Sequence, residues 1–201
     1  MKRFLDVLLS LLAIIFLSPL MLVICLIIIC DDGMPVIFRQ DRVGRDDKLF
    51  KIKKFRTMKN GAPNLSTADF EESDEYITRS GKFLRRTSLD ELPQLFNVLA
   101  GDMSFIGPRP TLTYHPWRFE EYSDTQRRRF EVRPGITGLA QVHGRKTIDW
   151  NDRIKYDVEY VDKLSLGLDC KILFQTVWNV LTMKDNNNVG KTSESKENKD
   201  A

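Results

Sequence analysis

An apolar run near the start of the chain constrains the fold more than any other feature. Residues 4–30 carry a single charged side chain, Asp6. About 20 apolar residues are enough to cross the hydrocarbon core of a bilayer. The run lacks the small-residue cleavage site of a secretory signal peptide, so we expect it to be retained. The sequence therefore predicts a membrane anchor over residues 1–30, with Asp6 at the interface because a charge within lipid is costly.

Ser18 and Pro19 lie near the middle of this run. Proline removes a helical hydrogen bond and clashes with the preceding turn, so a bend is expected. Each arm is then roughly 18–21 Å long, at about 1.5 Å per residue, and too short for a core of about 30 Å. Basic residues flank the run on both sides and prefer the cytoplasmic face. The residues fit a re-entrant hairpin and an ordinary span equally, since transmembrane helices tolerate proline.

Cysteine, histidine and charge narrow the possible chemistry. The three cysteines lack metal-ligand spacing, which indicates a reduced, cytosol-facing protein. With only His115 and His143, a zinc site or a histidine-based triad is disfavoured. Between Arg39 and Lys59, nine basic residues stand against three acidic ones. Such a patch attracts phosphates on lipid, nucleotide or nucleic acid, although a solvated basic face is the more common meaning of a charge run.

The remaining segments predict a small α/β body. Two short strands flank a polar turn within residues 36–58, and an acidic loop follows at 60–76. Apolar positions then recur with helical spacing until Gly101, which is expected to end that helix. Further predicted segments are a helix over 115–132, a glycine-rich loop over 133–145, and helices over 151–163 and 167–183.

Adjacent carboxylates stand at one of these helix starts. In SLDELPQ, residues 88–94, Ser88 and Glu91 fit a capping box, and Pro93 is tolerated in a first turn. Asp90 and Glu91 would then both feel the positive end of the helix dipole, which lowers a carboxylate's pKa. Helix capping is one interpretation of this pair, and catalysis is the other.

Arginines around the pair favour catalysis. Their guanidinium groups match phosphate oxygens with a planar fork of donors. They are Arg85, Arg86, Arg109, Arg133 and Arg145. If they converge, the site binds a phosphate-bearing anion beside two acids, which requires a cation between them. Magnesium is commonly held by one or two carboxylates plus substrate phosphates. The other carboxylate is then available as a nucleophile that forms an acyl phosphate.

Several separate motifs resemble those of the monotopic phosphoglycosyl transferases, the bacterial sugar transferase family, and occur in that family's order. The resemblance covers roughly residues 2–180. Its motifs are KRFLD followed by SP, FRQDRVGRDDKLFKIKKFRTM, GKFLRRTSLDELPQLFNVLAGDMSFIGPRP and RPGITGLAQVHGR. The chain looks like the family's small minimal form, without the multi-span N-terminal region of larger members.

The resemblance implies an enzyme at the cytoplasmic face of the bacterial inner membrane. Such enzymes move a sugar-1-phosphate from a UDP-sugar to a polyprenyl phosphate, typically undecaprenyl phosphate, and release UMP. The step begins the membrane stage of a bacterial surface glycan pathway. The implied partners are the UDP-sugar, the polyprenyl phosphate and membrane lipid, and not nucleic acid.

The same resemblance assigns roles to five side chains. Asp90 is the expected nucleophile, which forms a covalent phosphosugar intermediate, and Glu91 the expected Mg²⁺ ligand. Arg85 is expected to bind a lipid or substrate phosphate, while Arg109 and Arg145 face the nucleotide-sugar.

The Ser18–Pro19 break matches the family's re-entrant helix and favours re-entry. The expected fold is α/β. A re-entrant membrane helix–break–helix over 1–30 precedes a cytoplasmic helix/strand catalytic body over 31–183, which lies on the membrane. A disordered tail is expected over 184–201. His143 departs from the asparagine often found in relatives, and neither it nor the 60–76 loop receives a role.

Three other interpretations remain at this stage. A metal-dependent hydrolase of membrane pyrophosphates would use water as the acceptor. A membrane-tethered adaptor would need only the basic patch, to dock anionic lipid or nucleic acid. A purely structural interpretation makes Asp90 and Glu91 helix caps, whose loss changes stability by about 1 kcal/mol or less.

Overall fold

The computed structural model describes residues 1–63, 73–144 and 148–182. The predicted disordered tail and most of the acidic loop lie outside these ranges, as does Arg145. The helices are α1 (Lys2–Asp32), α2 (Arg79–Thr87), α3 (Leu95–Ala100), α4 (Asp124–Arg127), α5 (Leu139–Gly144), α6 (Trp150–Asp162) and α7 (Leu166–Leu181). The strands are β1 (Ile37–Val43), β2 (Leu49–Phe55), β3 (Ser104–Ile106) and β4 (Gly135–Thr137). Short 3₁₀ helices cover Arg45–Asp47, Ser73–Tyr76, Leu89–Gln94, Phe119–Glu121 and Arg128–Phe130.

Helix α1 contains nearly all of the apolar run. It is the one helix among the described residues that is long and apolar enough to cross a membrane. It runs as one helix from Lys2 to Asp32, with Pro19 inside, so the structure does not show two separate arms. The Ser18 hydroxyl donates to the Ile15 carbonyl at 2.8 Å, the acceptor that an N–H at position 19 would have used. The polar side chain thus offsets the bond that proline removes.

The N-terminal end of α1 is tied to the soluble body by polar contacts. Lys2 Nζ lies 2.6 Å from Asp169 Oδ2 on α7. Arg3 donates to the carbonyls of Val98 and Leu99 at 2.6 and 3.0 Å. Buried Asp6 accepts hydrogen bonds from elements described next. All three contacts cross at least 90 positions of sequence, so they fix the helix against the fold and not against itself.

Strands β3 and β4 form a parallel pair that begins beside Asp6. Ser104 pairs with Gly135, and Ile106 with Thr137. Asp6 Oδ1 accepts from the Ser104 hydroxyl at 3.0 Å and from the Phe105 N–H at 3.1 Å. This carboxylate is therefore satisfied by protein donors. Its expected position at the membrane interface is compatible with these contacts but is not tested by them.

The other end of α1 packs on the same body. Ile24 and Ile28 are buried in a cluster with Phe55 and Leu84, and Met21, Leu89 and Leu92 pack around it. Beyond them, Asp32 lies 3.1 Å from Arg56 at the end of β2. Residues 11–20 between the two docked ends have largely exposed side chains. The apolar middle of the helix is thus the part that the body does not cover.

Strands β1 and β2 confirm the predicted hairpin around a polar turn. They pair antiparallel, with Ile37 opposite Phe55 and Val43 opposite Leu49. Ile52 and Phe55 are buried in separate clusters on opposite sides of the hairpin, and Lys54 lies on the same side as Ile52, as the two-residue period of a strand requires. The predicted helical end at Gly101 is also found, because Gly101 takes a left-handed φ of 101° after α3.

The single helix expected over 115–132 is wrong. The segment contains α4 and two 3₁₀ turns, and capping boxes at Arg118–Glu121 and Ser123–Gln126 restart the chain twice. Tyr122 and Phe130 are buried against Val43, Ile154 and Val158. The aromatic side chains therefore pack in the protein's own core. The short turns orient them towards it better than one straight helix would.

The Asp6 contacts predict a measurable loss of stability in the Asp6→Ala variant. Removal of the Asp6 carboxylate leaves the half-buried Phe105 N–H and the buried Ser104 hydroxyl without this acceptor, at a cost of about 1.5–3 kcal/mol. For a chain of this size the apparent melting temperature in detergent should fall by roughly 3–10 °C. Asp41→Ala is the matched control, since the Asp41 side chain is exposed and its ion pair among the described residues is with exposed Lys51. Equal melting temperatures for both variants would contradict the anchoring role of Asp6.

Candidate active site

The adjacent carboxylates lie in a 3₁₀ helix that follows a sharp reversal of the chain. Helix α2 ends at Ser88, whose φ of 58° is left-handed, and the 3₁₀ helix Leu89–Gln94 begins at once. Leu89 and Leu92 lie on one side of it, three residues apart, and pack towards α1. Asp90 and Glu91 are consequently turned away from the apolar cluster and towards the hairpin.

The capping-box interpretation of Ser88 and Glu91 is wrong. The Ser88 side chain makes no capping hydrogen bond at this terminus. Glu91 reaches Lys54 on β2 instead, with Nζ 2.8 Å from Oε1. An ion pair to a distant strand has replaced the local cap, because the left-handed Ser88 does not present its side chain to the following turn.

Glu91 binds a second cation as well. Arg109 Nη2 lies 3.3 Å from the same oxygen, Oε1. Burial raises the pKa of the Glu91 carboxyl, but attraction and hydrogen bonds from Lys54 and Arg109 outweigh it, and the net shift of the pKa is strongly downward. Glu91 is therefore ionised over the whole physiological range.

Asp90 has the opposite environment. It makes no hydrogen bond or ion pair with any residue that the structure describes. Burial raises the pKa of its carboxyl, and the neighbouring charge of Glu91 adds to this, against the attraction of Lys54, Arg85 and Arg109. The expectation that the helix dipole would lower both pKa values is therefore wrong for Asp90, because burial and like charge dominate. An oxygen nucleophile without hydrogen-bond donors is also the more reactive one.

Arg85 and Arg109 both lie close enough to act on Asp90, and the structure brings them together. Arg85 on α2 donates through Nε to the Thr57 hydroxyl at 2.9 Å, and its charge lowers the pKa of Asp90. Arg109 belongs to the stiff loop Gly107–Pro110, whose prolines restrict the backbone. Two arginines from separate elements therefore face the carboxylate pair.

The other predicted positions fall elsewhere. Arg133 donates to the Gly101 carbonyl at 2.8 Å and so supports the end of α3. Arg145 lies outside the described residues, and its role remains a prediction. His143 stacks on Tyr156, with ring centroids 4.7 Å apart, and Nδ1 lies 2.9 Å from the Leu139 carbonyl oxygen. These are packing contacts, in line with the absence of an assigned role for His143.

Two cations of the site escaped residue-level prediction. In the sequence, Lys54 is one of the nine basic residues of the patch. In the structure it lies on β2 between buried Ile52 and Phe55. Arg42 lies on β1, where burial lowers the pKa of its guanidinium to about 10, with repulsion from Arg109 adding to the effect and attraction from Glu91 opposing it. Both would have been found from strand alternation had the facing elements been known.

The donor set fits a magnesium ion of the kind held mainly by substrate. Among the described residues no group of three or more histidine, cysteine, aspartate or glutamate side chains gathers, so a fully protein-built cage is not offered there. Asp90 and Glu91 are adjacent carboxylates, and both cations on Glu91 contact Oε1, which leaves Oε2 outside these contacts. One or two carboxylates plus phosphate oxygens and water suit Mg²⁺.

Fold and site together define a class of protein. A small α/β body contacts both ends of one long apolar helix. It carries adjacent carboxylates whose pKa values shift in opposite directions, beside lysine and arginine side chains. The chain belongs to the bacterial sugar transferase family, whose family model matches residues 1–183. The resemblance found in the sequence motifs is thereby confirmed.

Named relatives share this region at about two-fifths identity. The chain is 43% identical over 182 residues to the UDP-glucose:undecaprenyl-phosphate glucose-1-phosphate transferase of Klebsiella pneumoniae, which covers 88% of this chain and 39% of that protein. The enzyme of the same name from Escherichia coli strain K12 is 40% identical over 183 residues, 89% of this chain and 39% of that protein. The chain thus spans about two-fifths of the length of these relatives.

A shorter relative is matched over most of its length. The enzyme of the same name from Caulobacter vibrioides is 41% identical over 190 residues, which are 90% of this chain and 70% of that protein. The region that contains the carboxylate pair therefore falls within the shared part of proteins that differ in overall size.

Proposed function

We propose that this chain transfers a sugar-1-phosphate from a UDP-sugar to a polyprenyl phosphate and releases UMP, through a covalent aspartyl-phosphosugar intermediate. The observation that carries the proposal is the unlike pair at residues 90 and 91. Asp90 is unpaired among the described residues and carries a raised pKa, while Glu91 is fixed by Lys54 and Arg109. Relatives named as sugar-phosphate transferases acting on undecaprenyl phosphate support the same reaction. The product would begin the membrane stage of a surface glycan pathway.

The first half-reaction uses the free carboxylate. An Asp90 oxygen attacks the phosphorus that carries the sugar, a new P–O bond forms, and the bond from that phosphorus to the bridging oxygen breaks. UMP leaves with both electrons of the broken bond. The product on the protein is an acyl phosphate that bears the sugar.

The second half-reaction restores the enzyme. A phosphate oxygen of the lipid attacks the same phosphorus, the bond to Asp90 breaks, and the carboxylate is regenerated. The lipid then carries a diphosphate-linked sugar. Because the two anionic substrates react in turn, the site never has to hold both at once, which avoids their mutual repulsion.

The basic side chains neutralise charge in both steps. Arg85 and Arg109 flank Asp90 and are suited to phosphate oxygens, and Lys54 keeps Glu91 in place. Magnesium, held by Glu91 and the substrate phosphates, would supply Lewis-acid stabilisation of the charge that develops on the departing UMP. Arg145 is assigned to the nucleotide-sugar by the family resemblance alone.

A re-entrant α1 at the cytoplasmic face of the inner membrane completes the proposal. Three features support re-entry: both ends of α1 dock on one body, its apolar middle is uncovered, and Pro19 removes a backbone hydrogen bond at that middle. Leu89 and Leu92, beside the nucleophile, pack on the same α1 cluster. The reacting carboxylate would then sit at headgroup depth, where a soluble and a lipid-bound substrate can both reach it.

Asp90 should become covalently loaded when the acceptor is withheld. The nanodisc-embedded protein is incubated with an isotopically labelled UDP-sugar and Mg²⁺, without polyprenyl phosphate. Mass spectrometry should locate a phosphosugar on the peptide that contains Asp90, with one equivalent of UMP released. A panel of UDP-sugars in the same assay identifies the sugar.

Asp90→Asn is the matched variant for that experiment. It preserves size and removes only the nucleophilic charge, so both the adduct and lipid product should be lost while the melting temperature changes little. Product formation at the wild-type rate would contradict the covalent route. Release of free sugar phosphate without lipid product would favour the hydrolase instead, and intact turnover in the variant would leave the pair with a structural role.

The acid limb of the rate profile should lie above the ordinary aspartate range. Asp90 reacts only when deprotonated, and its raised pKa means that activity falls already as pH drops through a value higher than about 3.9. Lys54→Met removes a charge that lowers this pKa, so the limb of kcat/KM should move to still higher pH. Lys51→Met, exposed on the same strand, should leave the limb in place. A limb that moves the same way in both variants would argue against control by Lys54.

Topology is tested by labelling from outside the cell. In a variant that lacks the native cysteines, single cysteines are placed in an extension before Met1 and at exposed Lys48. A membrane-impermeant maleimide should label neither in intact spheroplasts and both after permeabilisation. Pro19→Ala strengthens a straight helix and should raise external labelling of the N-terminal site. External labelling of that site in the protein without this substitution would establish an ordinary span.

A further inference from the structure

A fully buried ion pair stands behind the active-site loop and is used by no step above. Arg129, in the 3₁₀ helix Arg128–Phe130, lies with Nη2 2.6 Å from Oδ2 of Asp157 on α6. Their side chains are 1% and 2% exposed. Desolvation of two charges costs several kcal/mol for each ion, so such a pair is weak evidence for stability. In a body this small, the ion pair is better explained by a role in fixing one particular structure.

The same guanidinium nitrogen reaches the loop that carries Arg109. Arg129 Nη2 donates to the Arg109 carbonyl at 2.9 Å. Asp157 thus orients Arg129, and Arg129 holds the backbone of Arg109. The side chain of Arg109 leaves that same residue in the direction of Glu91.

Four successive carbonyls of the loop accept hydrogen bonds from three elements: β4, the 3₁₀ helix Arg128–Phe130 and β1. The Gly135 N–H donates to Pro108 at 2.9 Å, Arg129 to Arg109, Arg42 Nη1 to Pro110 at 3.3 Å, and the Val43 N–H to Thr111 at 3.0 Å. Since Pro108 and Pro110 have no N–H of their own, the loop cannot organise itself through backbone donors at those positions. Its shape is imposed from outside.

The hydrogen bond to the Arg109 carbonyl comes from a fully buried charged side chain, whereas Arg42, the other charged donor, is half-buried. Donors on ionised groups form stronger hydrogen bonds than neutral amides. Burial raises the pKa of Asp157 to about 6, against the attraction of Arg129, so the carboxylate is still ionised at an assay pH of about 8. Charged Arg153 on α6 lies close enough to attract Asp157 too.

We propose that Arg129 and Asp157 are positioning residues, which aim the Arg109 guanidinium at the carboxylate pair by fixing the Arg109 carbonyl. The expected effect on the rate rests on the proposed function, whereas the expected effect on the loop rests on geometry alone. Neither residue touches substrate. A shift of about 1 Å at a catalytic contact is enough to cost about 100-fold in rate.

The test compares Arg129→Lys with a matched pair on the same two elements. Lysine keeps the charge, but its side chain is one atom shorter, so its ammonium does not reach the position from which Arg129 Nη2 donates to both Asp157 and the Arg109 carbonyl. Arg128 and Asp162 form a pair of 2.5 Å that is 41% and 46% exposed. Arg128→Lys is therefore the control, since it makes the same substitution one residue earlier.

The first measurement is kcat/KM for the UDP-sugar in two backgrounds. Arg129→Lys should lower it about 10- to 100-fold when Arg109 is present. In the Arg109→Ala background the further loss should be no more than about 2-fold, because effects through one shared group are not additive. Arg128→Lys should be near wild type in the Arg109 background. Equal losses in both backgrounds would mean that the buried pair acts on the fold at large.

The second measurement needs no substrate. Hydrogen–deuterium exchange of the embedded protein should rise in Arg129→Lys within residues 105–114 and stay unchanged in α1 and α3. Unchanged exchange in residues 105–114, or a rise throughout the body, would overturn the positioning role. If the wild type releases no UMP from any UDP-sugar, the proposed function fails, and the exchange result still decides this inference.

Discussion

The ion pair between Glu91 and Lys54 is the contact on which the rest of the site depends. It joins the 3₁₀ helix Leu89–Gln94 to β2 at 2.8 Å, and the same carboxylate oxygen receives Arg109 from the loop after β3. Three segments that are far apart in sequence thus meet at one atom. Removing one partner of a half-buried charge leaves the others uncompensated, so each of the three residues constrains the other two. Asp90, one position away, is free of these bonds because Glu91 has taken them.

Helix α1 and the carboxylate pair share one apolar cluster. Ile24 and Ile28 of α1 are buried with Phe55 and Leu84, and Leu89 and Leu92 pack against that group. The residues on either side of the carboxylate pair therefore rest directly on the helix that is long enough to enter a membrane. Leu89 and Leu92 therefore couple the position of Asp90 to that of α1 by direct side-chain packing. Phe55 is the last residue of β2, the strand that carries Lys54, so the same cluster also helps to position Lys54.

Local sequence patterns predicted the structure correctly where short-range interactions determine it. Strand alternation in residues 36–58 and the glycine at 101 predicted the hairpin and the end of α3, because period and positive φ are properties of short segments. The cap at Ser88 failed because a long-range ion pair outcompeted it. The helix over 115–132 failed because Tyr122 and Phe130 had to reach a core that the sequence does not display. From the sequence, the approach of Arg109 to Glu91 could be stated only as a condition for the site. Lys54 was one basic residue among nine.

Division of labour between adjacent carboxylates follows from surroundings, since the two are similar acids with the same neighbours in sequence. Glu91 has one more methylene, and with it reaches Lys54 and Arg109, so attraction keeps its pKa low despite burial. Asp90 is shorter, gains no bond from the described residues, and has its pKa raised by burial and by the charge of Glu91. Paired groups whose pKa values are driven apart are those that take different roles in catalysis. The fixed carboxylate therefore suits a permanent charge such as a metal ligand, and the unbonded one suits an atom that must form and break a bond to phosphorus.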